Sequence, residues 1–171
     1  MGKVVYKDKF LTIKTRMITV RGKRLPMQSY EQDDVVVILP LIRKGVFLLE
    51  RQFRHGVNHY MIEFPAGHME KGEKAKAAAI REFEEETGYK PKQIRHLFDE
   101  LTNSSTSKRL FHYFLAEKLV KTGKRHFDDY EILTTLELKD AQLSKMIKQN
   151  RIKDHKTMLG YLYYKKFIEK K

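Results

Sequence analysis

The sequence of 171 residues contains no cysteine and no tryptophan, and only four prolines. The absence of cysteine excludes disulfide frameworks, thiolate zinc sites and cysteine nucleophiles. The longest apolar run, residues 35–42, has eight residues including Pro40, far fewer than a membrane span requires. The first residues lead directly into charged sequence, without the apolar segment of a signal peptide. These absences predict a cytoplasmic protein with no membrane partner.

What the chain does contain is enough apolar sequence for a core, since 41% of its residues are hydrophobic and 33% are charged. Alternating and β-branched patterns predict strands, and apolar residues at helical spacing predict helices. The predicted strands cover residues 4–20 (one or two exposed strands), 35–39, 46–51, 59–64 and 110–116, and the predicted helices cover 72–87, 139–149 and 154–170. This mixture predicts an α/β (α+β) fold in one structural domain.

The charge is strongly asymmetric, with 35 Lys and Arg residues against 22 Asp and Glu residues, for a net charge of +13. Such a balance suggests an anionic partner, and nucleic acid is one candidate. Lysines outnumber arginines by 24 to 11, which suits a solvated surface better than specific nucleic-acid recognition. Residues 67–89 have the opposite sign, with six acidic and four basic side chains. This acidic segment is the candidate location of the chemistry.

Three glutamates of the acidic segment, Glu82, Glu85 and Glu86, share one face of the predicted helix, within about 100° of arc. A divalent cation relieves the repulsion among such carboxylates, and oxygen ligands favour Mg²⁺, with Mn²⁺ as a substitute, over zinc. Short side chains on the same face predict open access for a ligand: Ala75, Ala78 and Ala79. The opposite face is predicted to pack on a sheet through Ala77, Ile80, Phe83 and Thr87.

The residues around this helix form a longer motif. Gly67 is followed after five residues by Glu73, and after seven more by R-E-F-E-E-E-T-G-Y over residues 81–89. This pattern resembles the Nudix box, G-x5-E-x7-R-E-U-x-E-E-x-G-U, at every fixed position. The two U positions, normally aliphatic, are aromatic here, as Phe83 and Tyr89. The chain is therefore identified as a member of the Nudix hydrolase family.

The resemblance implies a Nudix-type α/β/α sandwich with a mixed central β-sheet, which hydrolyses a nucleoside diphosphate linked to another group. It implies an Mg²⁺ site whose ligands are the backbone carbonyl of Ala66 and the carboxylates of Glu82, Glu85 and Glu86. The same three glutamates and Arg81 form the implied catalytic set, while Gly67 and Glu73 support it. Such supporting groups orient metal ligands in most metal sites.

Sequence outside the box resembles the branch of ADP-ribose and nucleoside-diphosphate-sugar pyrophosphatases. The resemblance rests on R-Q-F-R at residues 51–54, on E-F-P-A-G at 63–67 and on I-K-D-H-K-T at 152–157. It implies that Arg54 binds the substrate, with Arg51 and Glu63 as further candidates. It also implies that residues 1–34 form an antiparallel strand extension exchanged in a homodimer, next to a Nudix domain over 35–171.

The loop after the box departs from that branch. Ser104 and Ser105 stand where ADP-ribose hydrolases usually have the proline of an S-P-G loop, and a basic residue, Lys108 or Arg109, replaces the usual acid. Three explanations remain open. The general base is Glu85; or it belongs to the later acidic cluster of Asp128, Asp129 and Glu131. Alternatively, the basic pair binds an additional negative group and shifts the substrate away from ADP-ribose.

The implied reaction is Mg²⁺-dependent hydrolysis of ADP-ribose or a related nucleoside diphosphate sugar to a nucleoside monophosphate and a sugar phosphate. The basic charge and Lys108-Arg109 also suit a Nudix hydrolase acting on dinucleoside polyphosphates or on capped or 5′-phosphorylated RNA. A non-catalytic sensor that binds a nucleotide and nucleic acid is a third hypothesis. The complete set of acidic box positions argues against it.

Overall fold

The computed structural model describes residues 2–9, 11–127 and 131–169. The described strands are β1 (Lys3–Lys7), β2 (Thr12–Val20), β3 (Lys23–Glu31), β4 (Val35–Arg43), β5 (Val46–Arg54), β6 (His59–Glu63), β7 (Ala66–His68), β8 (Tyr89–Leu101), β9 (Leu110–Lys121) and β10 (Leu133–Lys139). The helices are α1 (Ala75–Thr87), α2 (Asp140–Lys148) and α3 (His155–Tyr163), and a π-helical turn (Tyr164–Ile168) follows α3.

The strands form two sheets. The first is a three-stranded antiparallel sheet in the order β1-β2-β3, which we call the N-terminal sheet. Arg21 and Gly22 connect β2 to β3 with positive φ angles of 50° and 76°, as a tight hairpin turn requires. The second, which we call the central sheet, has the order β10-β5-β4-β9-β8, with β6 beside β5 and β7 beside β4. It is a mixed sheet, because β4 and β9 run parallel while its other pairs are antiparallel.

The central sheet has a gap where β4 and β5 no longer pair with each other. These strands pair near their connecting turn, where Leu41 lies opposite Phe47. Further along, β4 pairs with β7 and β5 pairs with β6. The two strands therefore diverge, and the short strands β6 and β7 flank the space between them.

Helices cover both faces of the central sheet. Alternate residues of β4 point to opposite faces, as strand geometry requires. Val37 and Leu39 belong to one apolar cluster, which also contains Leu143 of α2 and Tyr161 of α3. A second cluster contains Val36 and Ile38 of β4 and, from α1, Ala78, Ala79 and Phe83. This arrangement confirms the predicted α/β/α sandwich with a mixed sheet. None of the helices in the described ranges is long and apolar enough to cross a membrane.

Several predicted elements need correction. β3, β7, β8 and β10 were absent from the sequence prediction, and the predicted strand over 110–116 extends to Lys121. The predicted helix over 72–87 begins only at Ala75, and Gly88 ends it in the left-handed conformation (φ 73°). The helix predicted over 154–170 ends as α3 at Tyr163 and continues as the π-helical turn.

The orientation of α1 also differs from the prediction. Ala78 and Ala79 were expected to leave the carboxylate face open, but both are fully buried against the sheet. Phe83 and Thr87 are buried as predicted, whereas Ala77 is exposed. The buried face therefore contains the two alanines and Phe83, and the small alanine side chains let the helix approach the strands closely. This rotation turns the glutamates toward the gap in the sheet.

Candidate active site

A cleft of about 1080 Å³ lies along the gap between β4 and β5. Its lining combines the C-terminal part of β5 with residues of β6, β7 and α1. The residues that line it include Arg54, Glu63, Ala66, Gly67, Arg81, Glu82, Glu85, Glu86, Glu131, Asp154 and Lys156. The acidic segment, the R-Q-F-R element and the I-K-D-H-K-T segment thus meet at one place, although they are far apart in sequence.

Arg81 links the carboxylates of the acidic segment. Its Nη1 atom donates to Glu82 Oε1 at 2.9 Å and to Glu85 Oε2 at 3.1 Å. Its Nη2 atom donates to Glu73 Oε2 at 2.8 Å, and its Nε atom donates to Glu73 Oε1 at 3.1 Å. These bonds lower the pKa of Glu73 and raise that of Arg81. One guanidinium therefore fixes three carboxylates.

Gly67 gives Glu82 the room it occupies. A Cβ atom built on Gly67 would lie 2.1 Å from both Cδ and Oε2 of Glu82, a distance no real contact allows. Gly67 belongs to β7, where it pairs with Val36 of β4. The glycine of the motif is therefore required by the close approach of α1 to β7, and not by a special backbone angle.

Two neighbouring carboxylates are almost completely buried here: Glu86, which lines the cleft, and Glu50, which does not line it. Glu50 of β5 is 1% exposed and Glu86 is 3% exposed. Glu50 Oε1 and Glu86 Oε2 have no hydrogen-bond partner in the described structure. Burial raises the pKa of Glu50 to about 8, and the nearby charges of Glu131 and Glu63 add to the increase. Burial and the adjacent Glu50 raise the pKa of Glu86 well above its ordinary value.

Glu82 has a similar environment. Burial is the largest cause that raises its pKa, to about 7, and the opposing influence of Arg81 only partly offsets it. The charges of Glu85 and Glu131 add to the increase. Unpaired buried carboxylates normally destabilise a protein. Such a concentration of them in one cleft is typical of a cation site, where the ion would supply the missing partner.

The donor set therefore fits a hard divalent cation. Every candidate side-chain ligand is a carboxylate, and Glu50 and Glu86, each with one oxygen that has no hydrogen-bond partner in the described structure, lie close enough for the charge of Glu50 to raise the pKa of Glu86. Ala66, whose backbone carbonyl was predicted as a ligand, lines this cleft in β7. Oxygen ligands of this kind suit Mg²⁺ or Mn²⁺.

A second polar network borders the acidic region. Arg54 donates from Nε to Glu63 Oε1 at 2.9 Å and from Nη2 to Glu63 Oε2 at 2.6 Å, which forms a bidentate pair. Lys156 Nζ donates to Glu63 Oε2 at 3.2 Å and also to Asp154. Burial lowers the pKa of Arg54, but the bonds to Glu63 outweigh it, so the net shift is upward. Arg54 thus remains charged beside the cleft.

The N-terminus of α3 is attached to this network. Asp154 caps the helix by accepting from the backbone N–H of Thr157 at 2.8 Å. Thr157 Oγ1 in turn accepts from the backbone N–H of Phe64 at 2.7 Å, and donates to Asp154. The I-K-D-H-K-T segment therefore fixes the strand end that carries Glu63.

Other predicted site residues lie elsewhere. Arg51 is exposed, and its guanidinium lies 3.6 Å from the ring centroid of Tyr60, outside the cleft. Arg109 donates to the carbonyl of Asp33 at 2.8 Å and to Gln32 at 3.3 Å. Of the candidate bases, Glu85 and Glu131 both line the cleft, while Asp128 and Asp129 lie outside the described residues.

Sequence reasoning missed three residues of the site: Glu50, Asp154 and Lys156. Glu50 directly follows the apolar run Val46–Leu49. A carboxylate in that position was the signal from which it could have been found. Asp154 and Lys156 were noticed only as part of a resemblance near the end of the chain. Their proximity to Glu63 depends on the packing of α3, which no local pattern reveals.

Comparison with known proteins agrees with this site. The NUDIX domain family matches residues 31–155. The ADP-ribose pyrophosphatase of Bacillus subtilis (strain 168) is 31% identical over 143 residues, covering 83% of this chain and 77% of that protein. The ADP-sugar pyrophosphatase of Mus musculus is 40% identical over 92 residues, covering 52% of this chain and 40% of that protein.

A crystal structure of an ADP compounds hydrolase has the same fold, with a TM-score of 0.85 and 18% sequence identity over 96% of this chain and 90% of that chain. The chain therefore belongs to the Nudix family. It is a Nudix hydrolase similar to ADP-ribose and ADP-sugar pyrophosphatases.

Proposed function

We propose that this protein hydrolyses the pyrophosphate bond of ADP-ribose or a related nucleoside diphosphate sugar with Mg²⁺, giving a nucleoside monophosphate and a sugar phosphate. One observation carries the proposal: the acidic residues of α1 and the cations Arg54 and Lys156 face the same cleft. A diphosphate with its metal ion needs this combination of charges. The relatives named for ADP-ribose and ADP-sugars support the substrate class.

The proposed metal ligands are Glu82, Glu85, Glu86 and the backbone carbonyl of Ala66, with Mn²⁺ as a substitute for Mg²⁺. A bound divalent ion would neutralise the diphosphate and activate water. The protein itself supplies orientation, because Arg81 holds Glu82 and Glu85 in place and Glu73 holds Arg81.

Arg54 is the proposed phosphate-binding residue. Its pair with Glu63 occupies Nε and Nη2, which leaves Nη1 to donate to an anion in the cleft. Glu63 therefore acts by orienting Arg54, and Lys156 adds a second positive charge. The size of the cleft, about 1080 Å³, suits a small molecule of nucleotide-sugar size.

The surroundings of Arg109 favour a sugar nucleotide over the RNA and dinucleoside polyphosphate alternative. Its guanidinium is already bonded to Gln32 and to the carbonyl of Asp33. It therefore supports the segment before β4, and a further phosphate group would have to compete with these bonds.

A substrate panel with product identification tests the proposal. ADP-ribose, ADP-sugars, GDP-mannose, dinucleoside polyphosphates and capped RNA are compared with Mg²⁺, Mn²⁺ or chelator. We expect hydrolysis of ADP-ribose or another nucleotide sugar to dominate and to stop in chelator. Preference for capped RNA, or full activity in chelator, would contradict the proposal.

Two variants of the same helix sharpen this test. Glu86→Gln removes a buried charge of the proposed metal site and should lower kcat by roughly 10²-fold or more, in line with the loss of a key electrostatic group. Glu84→Gln is the matched control, because Glu84 pairs with Lys90 outside the cleft lining. Equal activities of the two variants would refute the assigned site.

The proposed assembly is a homodimer built through the extension of residues 1–34, and the proposed location is the cytoplasm, as the lack of cysteine favours. The N-terminal sheet supports the dimer, because large apolar side chains remain exposed on it: Val4, Val5, Tyr6, Met17, Val20, Leu25 and Met27. A second subunit would cover them.

A further inference from the structure

Two histidines and one aspartate meet on the central sheet, away from the residues that line the cleft. Asp99 Oδ1 lies 2.7 Å from His96 Nε2 and 2.7 Å from His112 Nδ1. The ligand atoms of this trio all lie within 4.8 Å of one another, close enough to hold one metal ion. None of the three lines the cleft.

A β-bulge in β8 creates this arrangement. His96 and Asp99 are three residues apart, so a regular strand would place them on opposite faces. The register of β8 against β9 shifts between His96 and Phe98. Leu97 and Phe98 consequently both pack toward the cluster on the α2 and α3 face. The extra residue returns Asp99 to the face of His96, which is a known use of bulges.

The opposite strand supplies the third ligand. Asp99 is the direct cross-strand partner of His112, and His96 is the partner of Phe114. His112 and Phe114 are two residues apart on β9 and therefore share a face with His96 and Asp99. All three ligands consequently originate from the paired backbones of two adjacent strands.

Neighbouring residues orient both imidazole rings. The ring of His96 packs against Phe114 in an edge-on contact with centroids 5.3 Å apart. The second nitrogen of His112, Nε2, lies 4.0 Å from Asp34 Oδ2. Asp34 is itself fixed, because its Oδ1 accepts from the backbone N–H of Leu110 at 2.8 Å. Asp34 is thus within ion-pair distance of His112, on the side of the ring where metal sites usually place a carboxylate behind a ligating histidine.

We propose that His96, Asp99 and His112 form a binding site for a divalent transition-metal ion of the Zn²⁺ class, separate from the catalytic cleft. Two imidazole nitrogens and one carboxylate oxygen favour such ions over Mg²⁺. The side chains of His96 and Asp99 are 48% and 45% exposed, so solvent can complete the coordination. The ion would connect β8 to β9 and, through Asp34, to the start of β4.

Zn²⁺ titration of the full-length chain by calorimetry, in excess Mg²⁺ to occupy the carboxylate cleft, tests this site. Electron paramagnetic resonance of bound Cu²⁺ reports whether nitrogen ligands are present. We expect one Zn²⁺ per chain, nitrogen hyperfine structure with Cu²⁺, and a higher unfolding midpoint with Zn²⁺. Oxygen-only coordination, or no Zn²⁺ binding in excess Mg²⁺, would overturn the proposal.

Variants separate this site from the cleft. His112→Ala should reduce the nitrogen hyperfine structure to that of one imidazole, and His96→Gln, at an exposed position, should weaken Zn²⁺ binding by at least about tenfold. Asp34→Asn should weaken it by about 10-fold to 100-fold, as expected for a group that orients a ligand.

Two controls should leave Zn²⁺ binding unchanged. His59→Ala removes an exposed histidine of β6, and Glu86→Gln alters only the cleft. Loss of Zn²⁺ in Glu86→Gln with retention in His96→Gln would assign the ion to the cleft and refute the site.

Discussion

At the scale of single residues, the pair of buried carboxylates carries a cost in stability. Glu50 and Glu86 each leave one oxygen without a partner in the described structure, and each has a raised pKa. A raised pKa in the folded state means that folding favours the protonated form. The metal-free protein therefore carries an energetic cost at neutral and alkaline pH, which a cation in the cleft would remove.

Glu50→Gln tests this cost. Because the pKa of Glu50 is about 8 in the fold, its stabilising contribution is complete at acidic pH and is lost as the pH rises through about 8. In chelator, we expect the free energy of unfolding of the wild type to fall between about pH 5 and about pH 9. Glu50→Gln should flatten this fall and gain about 1 kcal/mol or more at the alkaline end.

Denaturant unfolding at a series of pH values measures this effect. Glu84→Gln serves as the control and should keep the wild-type slope, since Glu84 is paired with Lys90 away from the cleft. A Glu50→Gln variant that is less stable than the wild type at alkaline pH would contradict the prediction.

The general base can be resolved between Glu85 and Glu131, which both line the cleft. Glu85 accepts from Arg81 at 3.1 Å and belongs to the proposed metal ligands. Glu131 comes from a different segment, before β10. We expect Glu131→Gln to lower kcat by roughly 10²–10⁴-fold with little change in KM. We expect Glu85→Gln instead to raise the Mg²⁺ concentration required for activity.

Profiles of kcat against pH at saturating Mg²⁺ distinguish the two roles. Loss of the acidic limb of the profile in Glu131→Gln would identify the base. If Glu131→Gln retained wild-type kcat and Glu85→Gln lost the acidic limb at every Mg²⁺ concentration, the assignment would be wrong.

At the scale of elements, the contact of α1 with β7 sets the position of the glutamates. Gly67→Ala would place a methyl group 2.1 Å from Glu82 Cδ, so the carboxylate must move. We expect kcat/KM to fall by about 10²-fold, as for a displacement of about 1 Å in an active site, while the protein remains folded.

Gly160→Ala is the matched contrast, because its added Cβ would lie 3.0 Å from Leu39 Cδ1 in the packing of α3 on β4. It should lower stability by about 1–3 kcal/mol with kcat/KM near the wild-type value. Kinetics and thermal unfolding of both variants check the prediction. A larger activity loss in Gly160→Ala than in Gly67→Ala would contradict it.

The elements also show which features a sequence reveals. β4 was predicted because its apolar run Val35–Leu39 is buried on both faces of the central sheet. β3 and β8 were not predicted, because most of their side chains are exposed or half-buried and give no apolar pattern. The bulge at Leu97 further interrupts the alternation of β8. Strands that are held mainly by backbone hydrogen bonds have no clear pattern of apolar side chains from which they could be predicted.

The same distinction applies to the site. Local spacing accounts for the contact of Arg81 with Glu85, since four residues span about one helical turn. It also brought Gly67 and Glu73 into the same motif. Glu50, Asp154 and Lys156 needed the pairing of strands and the docking of α3, which are long-range contacts. The orientation of α1 was predicted wrongly because alanines pack equally well inward or outward on a helical wheel.

At the scale of the whole molecule, the two sheets differ in how they are stabilised. The two core clusters begin at Val35 and contain no residue of the N-terminal sheet. A separate sheet of three strands with an exposed apolar surface usually needs a partner. Because Leu25 and Met27 lie two residues apart on β3, they share a face and form a compact target for substitution.

The double variant Leu25→Glu with Met27→Glu tests the proposed homodimer. We expect the wild type to have twice the chain mass of 20.4 kDa in solution and the variant to approach the monomer mass. Light scattering after size-exclusion chromatography measures both. Lys23→Glu, at the exposed start of β3, is the control and should remain dimeric. A monomeric wild type would contradict the assembly.

The bulge in β8 determines to which face of the sheet each side chain of this strand points. The alternation of side chains between the two faces of the sheet shifts by one residue at Leu97. Ile94, before the bulge, packs toward α1, whereas Phe98, after it, stacks on Tyr113 with ring centroids 4.2 Å apart. Deletion of one residue here would restore a regular strand and exchange the faces of one half. The core contact of Phe98 and the histidine cluster thus depend on the same extra residue. A change that reversed the side-chain faces of either half of β8 would remove one of them.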